Sequence, residues 1–185
     1  MAEPKRFKPV ADSQVTITEL MIPSYSNFGG KIHGGIVLSL IDKVAYAAAS
    51  RHSGTYCVTL SVDKVVFWQP IEVGQLVSLR ASVNYVGNTS LIVGVKVTSE
   101  DVRSGTVHHT NSCYLTMVAM GDDGQKATAP GLIIQNEVEA RRWYQAWQMK
   151  QQDLALRQKQ QRSAPASMEE VAKAMEGERG RLELL

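Results

Sequence analysis

Asp42 is the first residue in this chain that chemistry could use. It lies in Ile36–Arg51, where Ile36, Val37, Leu40, Ile41, Val44, Ala45 and Ala48 recur at helical spacing. Leu38, Ala47 and Ala49 make the opposite side apolar too, so the spacing predicts a buried helix. A buried carboxylate without a partner costs several kcal/mol unless it is neutralised or hydrogen-bonded. Two readings of Asp42 follow. It is a carboxylate at the helix edge, paired with Lys43 or a distant Arg, or it is a general base or nucleophile in an apolar pocket. Just upstream, Gly29-Gly30 and Gly34-Gly35 bracket the helix start. Such a loop either serves tight bends or offers free N–H groups to a developing negative oxygen. Asn27 precedes it, as a turn residue or as a polar partner for the same site. Asp42 lies about 10 Å along the helix axis from Gly35, at 1.5 Å per residue. Asn27 lies on the other side of that start, so the two need not meet within one chain. A two-fold interface could bring them together, each subunit giving one residue.

Other chemistries lack their residues. His33, His52, His108 and His109 show no zinc-type spacing, and no P-loop, nucleophile elbow or dinucleotide fingerprint is present. No metal is expected. Cys57 and Cys113 sit in apolar, strand-like contexts and read as buried free thiols, which suits a cytoplasmic protein. No secretory signal and no span long enough for a bilayer are read. The 185 residues suit one domain with a tail, and 44% hydrophobic and 21% charged residues exclude wholesale disorder. A net charge of +2 is too small to imply nucleic acid.

The elements that must position these residues follow from periodicity. Met1–Ser13 reads as a leader, and Gln14–Glu19 as a short strand. Gly54 suits the helix end. From Thr55 to Phe67 the period is two, and Val77–Tyr85, Leu91–Val97 and Val107–Met120 alternate likewise. Val86–Thr89 and Arg103–Gly105 read as turns. Short turns predict antiparallel neighbours, and one helix against such a sheet is an α+β layer. Gln135–Arg162 reads as a polar helix, and Met168–Gly177 as a short one capped by Ser167 and Glu170. The boundaries are therefore a leader at 1–13, an α+β domain at 14–134 and a polar helical extension at 135–185.

Asn27-Phe-Gly29-Gly-Lys-Ile-His-Gly34-Gly35 followed by Leu40-Ile41-Asp42 resembles the hotdog-fold acyl-CoA thioesterases of the acyl-CoA hydrolase type, bacterial and neuronal. The likeness continues through Arg51–Gly54, Ser61–Val65, Val73–Val77, Val86–Ser90 and Thr110–Tyr114, so it covers roughly Val15 to Met120. The resemblance implies a long central helix wrapped by an antiparallel sheet, paired into dimers and trimers of dimers. It implies hydrolysis of medium- to long-chain acyl-CoA to fatty acid and CoA, with no cofactor besides the CoA of substrate and product. It makes Asp42 the base or nucleophile, Asn27 the residue that orients water or carbonyl, and Gly35 or its neighbour the N–H that polarises the thioester. It places CoA on Gly87, Asn88, Thr89 and Ser90, with Lys96, Arg51 and Lys64 as further cations. Asn88 stands where many relatives carry Arg.

Two other functions fit parts of the pattern. A hotdog enoyl-thioester hydratase would want a His paired with an acid near the helix start, and His33 is the candidate. A non-catalytic acyl-CoA or nucleotide sensor would bind without turnover, with the polar tail as its partner surface.

Overall fold

The computed structural model describes residues 7–63, 65–162 and 166–176. The chain falls into two compact units, Met1–Trp147 and Gln148–Leu185. In the first, β1 (Phe7–Pro9) leads into a 3-10 turn (Val10–Ser13) and β2 (Val15–Leu20). Then come α1 (Gly34–Ser53), β3 (Tyr56–Val62), β4 (Leu76–Val86), β5 (Ser90–Asp101), β6 (Thr106–Met120) and β7 (Gly131–Ile133). Helix α2 (Glu137–Arg162) begins in this unit and ends in the second, which also holds α3 (Met168–Met175). The Ser167–Glu170 capping box read in the sequence starts α3.

The main sheet has five antiparallel strands in the order β2-β4-β5-β6-β3. Its alternation decides its faces. Val77, Leu79, Ala81 and Val83 of β4, Leu91, Val93, Val95 and Val97 of β5, and Leu115, Met117 and Ala119 of β6 are buried in one core. Val37, Leu40, Ile41, Val44, Ala45 and Ala48 of α1 fill the other side of that core. The alanines let the helix lie close to the strands. The result is the α+β layer expected: a long helix wrapped by a curled antiparallel sheet.

Three features differ from the sequence reading. The strand from Thr55 stops at Val62 and does not reach Phe67. Nor does β3 pair with its successor β4; it crosses to the far edge and pairs with β6. Residues 63–75 are too long a link for a hairpin, so neighbours in sequence are not neighbours in the sheet. The Phe7–Ser13 segment is also structured. Phe7–Pro9 pairs parallel with Gly131–Ile133, and the buried Ser13 hydroxyl accepts the Val83 N–H at 2.9 Å, beside a bulge in β4. That bond satisfies a β4 amide just past the end of the β2 pairing, which stops at Val15 and Ala81.

Helix α1 ends on Gly54, whose φ of 76° only glycine adopts cheaply. One residue inside that end sector, His52 is fully buried. Its Nε2 donates to the Pro130 carbonyl at 2.8 Å, and Nδ1 has no partner among the described residues. Burial pushes the His52 pKa below its ordinary 6.5, with Lys8 adding to the effect and the bond to Pro130 opposing it. The unfolded chain therefore takes up this proton first as pH falls. The contribution of neutral His52 is complete above about pH 6.5 and is lost progressively below it. Urea unfolding of wild type at pH 8 and pH 5 should show that loss. His52→Gln, which can still donate to Pro130, should flatten the pH dependence; an unchanged slope would rule out His52 as its source.

Candidate active site

Helix α1 is wrapped on one side only. Leu38, Asp42 and Tyr46 recur every four residues on the side the sheet leaves open, and all three are exposed. Asp42 is thus exposed in this protomer, at the helix edge and not in a buried apolar pocket. Among the described residues it is also not paired with Lys43 or an arginine. Its partner is Thr59 of β3, whose hydroxyl donates to Asp42 Oδ1 at 2.6 Å. That bond fixes the carboxylate rotamer and leaves its second oxygen open. A cleft of about 420 Å³ lies over it, lined by Tyr46, Tyr56, Cys57 and Val58. Sequence reasoning missed Thr59. A search for the hydroxyl that an apolar helix's carboxylate would need was the available signal, since Thr59 is a polar position in the next strand.

Asn27 occupies a different cleft, of about 350 Å³, with Gly34, Val37, Phe67 and Trp68. Its Oδ1 accepts the Gly29 and Lys31 N–H groups at 2.9 and 3.2 Å. Both partners are donors, so the amide orientation is fixed: the carbonyl holds the loop and the NH₂ is free to donate outward. Asn27 therefore serves the turn and can still bind an oxygen. Within one protomer it does not meet Asp42.

The glycine loop corrects one expectation. The Gly35 N–H donates to His33 Nδ1 at 2.9 Å, as His33 caps the helix. It is not free to polarise a carbonyl while that bond stands. Gly35 is glycine because a Cβ there would meet the His33 ring at 2.9 Å. Of the two glycine pairs, only Gly30 has a positive φ, 75°. The adjacent Gly34 N–H is the first amide of α1 and has no intrahelical acceptor.

The remaining candidates scatter. The Gly87–Ser90 turn is tied down at Gly87 N to Ser90 O, and Asn88 O and Thr89 O accept from Ala129 and Ala119. Register places Leu91 beside Met117 and Met117 beside Thr59. The turn is thus two strands, about 10 Å, from the Asp42 partner. Arg51 is at the other end of α1 from Gly34, donating to Gln14 O at 2.8 Å. Lys96 lies on the outer face of β5, with the whole sheet between it and α1. Lys64 lies outside the described residues. Among the described residues no group of three or more His, Cys, Asp or Glu could hold a metal ion. Likewise, none of the described helices is long and apolar enough to cross a membrane.

Comparison with known proteins bears on this geometry. Residues 29–106 match the thioesterase superfamily. The VdlD protein of Helicobacter pylori is 45% identical over 139 residues, 75% of this chain and 79% of that protein. An acyl-CoA hydrolase from Staphylococcus aureus, solved with butyryl-CoA, CoA and CoA disulfide, superposes with a TM-score of 0.78 at 29% identity, over 84% of this chain and 94% of that one. A hexameric acyl-CoA thioesterase superposes with a TM-score of 0.77 at 34% identity, over 79% and 94%. The S. aureus enzyme has also been solved as single alanine variants at an asparagine, an aspartate and a threonine. Their sequence spacing is that of Asn27, Asp42 and Thr59. The likeness runs through sheet, helix and glycine loop alike, and by it this chain belongs to the thioesterase superfamily, whose hotdog fold it carries.

Proposed function

We propose that this chain hydrolyses medium- to long-chain fatty acyl-CoA at a site shared by two subunits, with Asp42 from one and Asn27 from the other. The chain is an acyl-CoA thioester hydrolase. The observation that supports Asp42 as the reacting carboxylate is its bond to Thr59 on the open apolar side of α1.

The chemistry follows from what each group can do. Asp42 either takes a proton from water as the water attacks the thioester carbon, or attacks it directly. Thr59 holds its carboxylate in place. The Asn27 NH₂ donates to the carbonyl or to water, while its own carbonyl stays with the loop. The Gly34 N–H meets the oxygen as charge builds there, and the Gly35 N–H joins it only if His33 turns away. Loss of one such donor costs about 10²–10³ in rate. Gly87–Ser90 and Arg51 would meet the CoA moiety, and Lys64 is a further candidate. Apart from CoA itself, the reaction uses no cofactor. The hydratase alternative weakens, because His33 Nδ1 is engaged by an amide and not by an acid.

The shared site needs a second copy, and the open face supplies the means. Tyr56, Leu60 and Val62 are exposed on β3, an edge strand, next to exposed Leu38 and Tyr46. An apolar edge of this kind pairs with another chain. Pairing β3 with its copy would extend the sheet and bring two α1 helices together, and three such dimers would make a hexamer. Cys57 and Cys113 are free and buried, and burial, aided by Asp63, pushes the Cys113 thiol up to about 11. Both suit a reducing, cytoplasmic setting.

CoA release from acyl-CoAs of short to long chain tests the activity and its chain preference. Asp42→Asn should lower kcat at least about a hundredfold. Asn27→Asp keeps the two loop bonds but loses the donor, so kcat should fall by a similar factor with the thermal midpoint nearly unchanged. Retained turnover in either variant would remove that residue from the chemical step. Thr59→Val should reduce kcat about tenfold or more, through a misplaced carboxylate, with little change in KM; a rise in KM alone would make Thr59 a substrate contact instead. Turnover only with short chains would overturn the proposed substrate range. Leu60→Lys on β3 should shift the species in sedimentation towards monomer and reduce turnover with it, and an unchanged assembly would exclude that edge as the interface.

A further inference from the structure

Two clefts touch α1, and they differ in what they could receive. The cleft over Asp42 is lined by the carboxylate itself, Lys43, Thr59 and two tyrosines. The cleft that holds Asn27 is mostly apolar, with Ile32, Val37 and Ile71 buried beneath Phe67 and Trp68. Its volume of about 350 Å³ is within the range of small-ligand sites. Phe67 and Trp68 are 44% and 55% exposed, although they end an apolar run, Val65–Trp68, whose first residue packs on the core. Folding of the protomer explains Val65 and leaves the two rings unexplained.

Exposed as they are, both rings are held in place. The Trp68 N–H donates to the Thr110 carbonyl at 3.0 Å, and its ring stands edge-on to His109, 4.8 Å away. The Phe67 ring stands against Gly34, where a Cβ would lie 3.7 Å from it. The segment that carries the rings is also tied to the loop that carries Asn27. Ile32 N–H donates to the Ile71 carbonyl at 2.9 Å, and Lys31 pairs with Glu72. The two segments are thus opposite walls of one fixed cleft. Through Gly34, Phe67 adjoins the first amide of α1, the donor assigned above to the thioester oxygen.

We propose that Phe67 and Trp68 are specificity-determining residues, the wall along which the acyl chain of the substrate lies. The inference rests on the reading of Asn27 and the Gly34 amide as parts of the hydrolytic site. A thioester whose oxygen sits on that amide sends two arms away from its carbonyl carbon. The CoA arm carries amides, hydroxyls and phosphates, which an aromatic wall does not satisfy. The acyl arm is hydrocarbon, and each methylene taken out of water is worth roughly fourfold in binding. The cleft beside Asn27 therefore suits the acyl arm, and the more polar cleft over Asp42 does not.

The test compares kcat/KM for dodecanoyl-CoA and butyryl-CoA in the full chain, as a ratio that does not depend on the active fraction. Calorimetry with the non-hydrolysable thioethers S-dodecyl-CoA and S-butyl-CoA reads binding alone. Phe67→Ala and Trp68→Ala should each lower the dodecanoyl-to-butyryl ratio at least about tenfold, the worth of roughly two methylenes. Both should weaken S-dodecyl-CoA by a similar factor, with inhibition by free CoA unchanged. Phe67→Leu, which keeps an apolar side chain, should hold the ratio within about threefold of wild type. The proposal is overturned if both alanine variants keep the wild-type ratio. It is also overturned if they weaken both thioethers and free CoA alike, which would place the rings on the CoA arm. A changed sedimentation profile with an unchanged ratio would assign the rings to a contact between copies, and overturns it too. The two readings fail separately. Wild type that releases no CoA defeats the hydrolytic one, while the thioether affinities still decide whether the rings meet the alkyl chain. Turnover with an unchanged ratio defeats this inference alone.

Discussion

One mismatch of surface governs this molecule: α1 is apolar nearly all round, and a single curled sheet covers only one side of it. Val37, Leu40, Ile41, Val44 and Ala48 are satisfied by β4, β5 and β6. Leu38 and Tyr46 are not, and Asp42 stands between them. The same open side continues onto β3, an edge strand with Tyr56, Leu60 and Val62 exposed. Burial of apolar surface is worth about 25 cal/mol per Å², so a face of this kind is driven to find cover. Covering it with a second copy would take Asp42 out of water and put another subunit's side chains beside it. On the proposed reading, assembly and the making of the active site are one event.

In the proposed shared site Thr59 would act ahead of assembly. A carboxylate about to lose its water needs a donor already in place, or it will shift its rotamer or bind a stray cation. The hydroxyl at 2.6 Å supplies that donor before any partner arrives. Asn27 is prepared likewise, since two backbone amides fix its carbonyl and so aim its NH₂. The Gly35 amide is prepared in the opposite sense, being engaged by His33. The protomer alone thus holds Asp42 and Asn27 in fixed orientations and keeps the Gly35 amide engaged.

Much of this was legible in the sequence, for physical reasons. The 3.6-residue and two-residue periods record which faces are buried, so α1, β4, β5 and β6 were readable with small errors at their ends. Strand order was not, because β3 reaches β6 across a long link and periodicity carries no information about non-local pairing. Asp42, Asn27 and the glycine loop stood out as polar or small residues where core residues were expected. The exposure of Asp42 stayed open, since an all-round apolar helix does not say whether its second face is covered by its own sheet or by another chain. Gly35 was assigned for its amide, and a side chain two residues away turned out to hold that amide. Lys96 was grouped with CoA by analogy of position, whereas strand parity puts it on the outer face beside Arg80.

The central claim is a site divided between subunits, and complementation measures it directly. Asn27→Asp and Asp42→Asn chains, each inactive alone, would be co-expressed and the mixed assembly assayed for CoA release. Random pairing makes half the dimers mixed, and each mixed dimer has one site with both residues intact, so about a quarter of wild-type activity should return. Mixed assemblies as inactive as either parent would contradict the account and place Asn27 and Asp42 in separate roles within one chain.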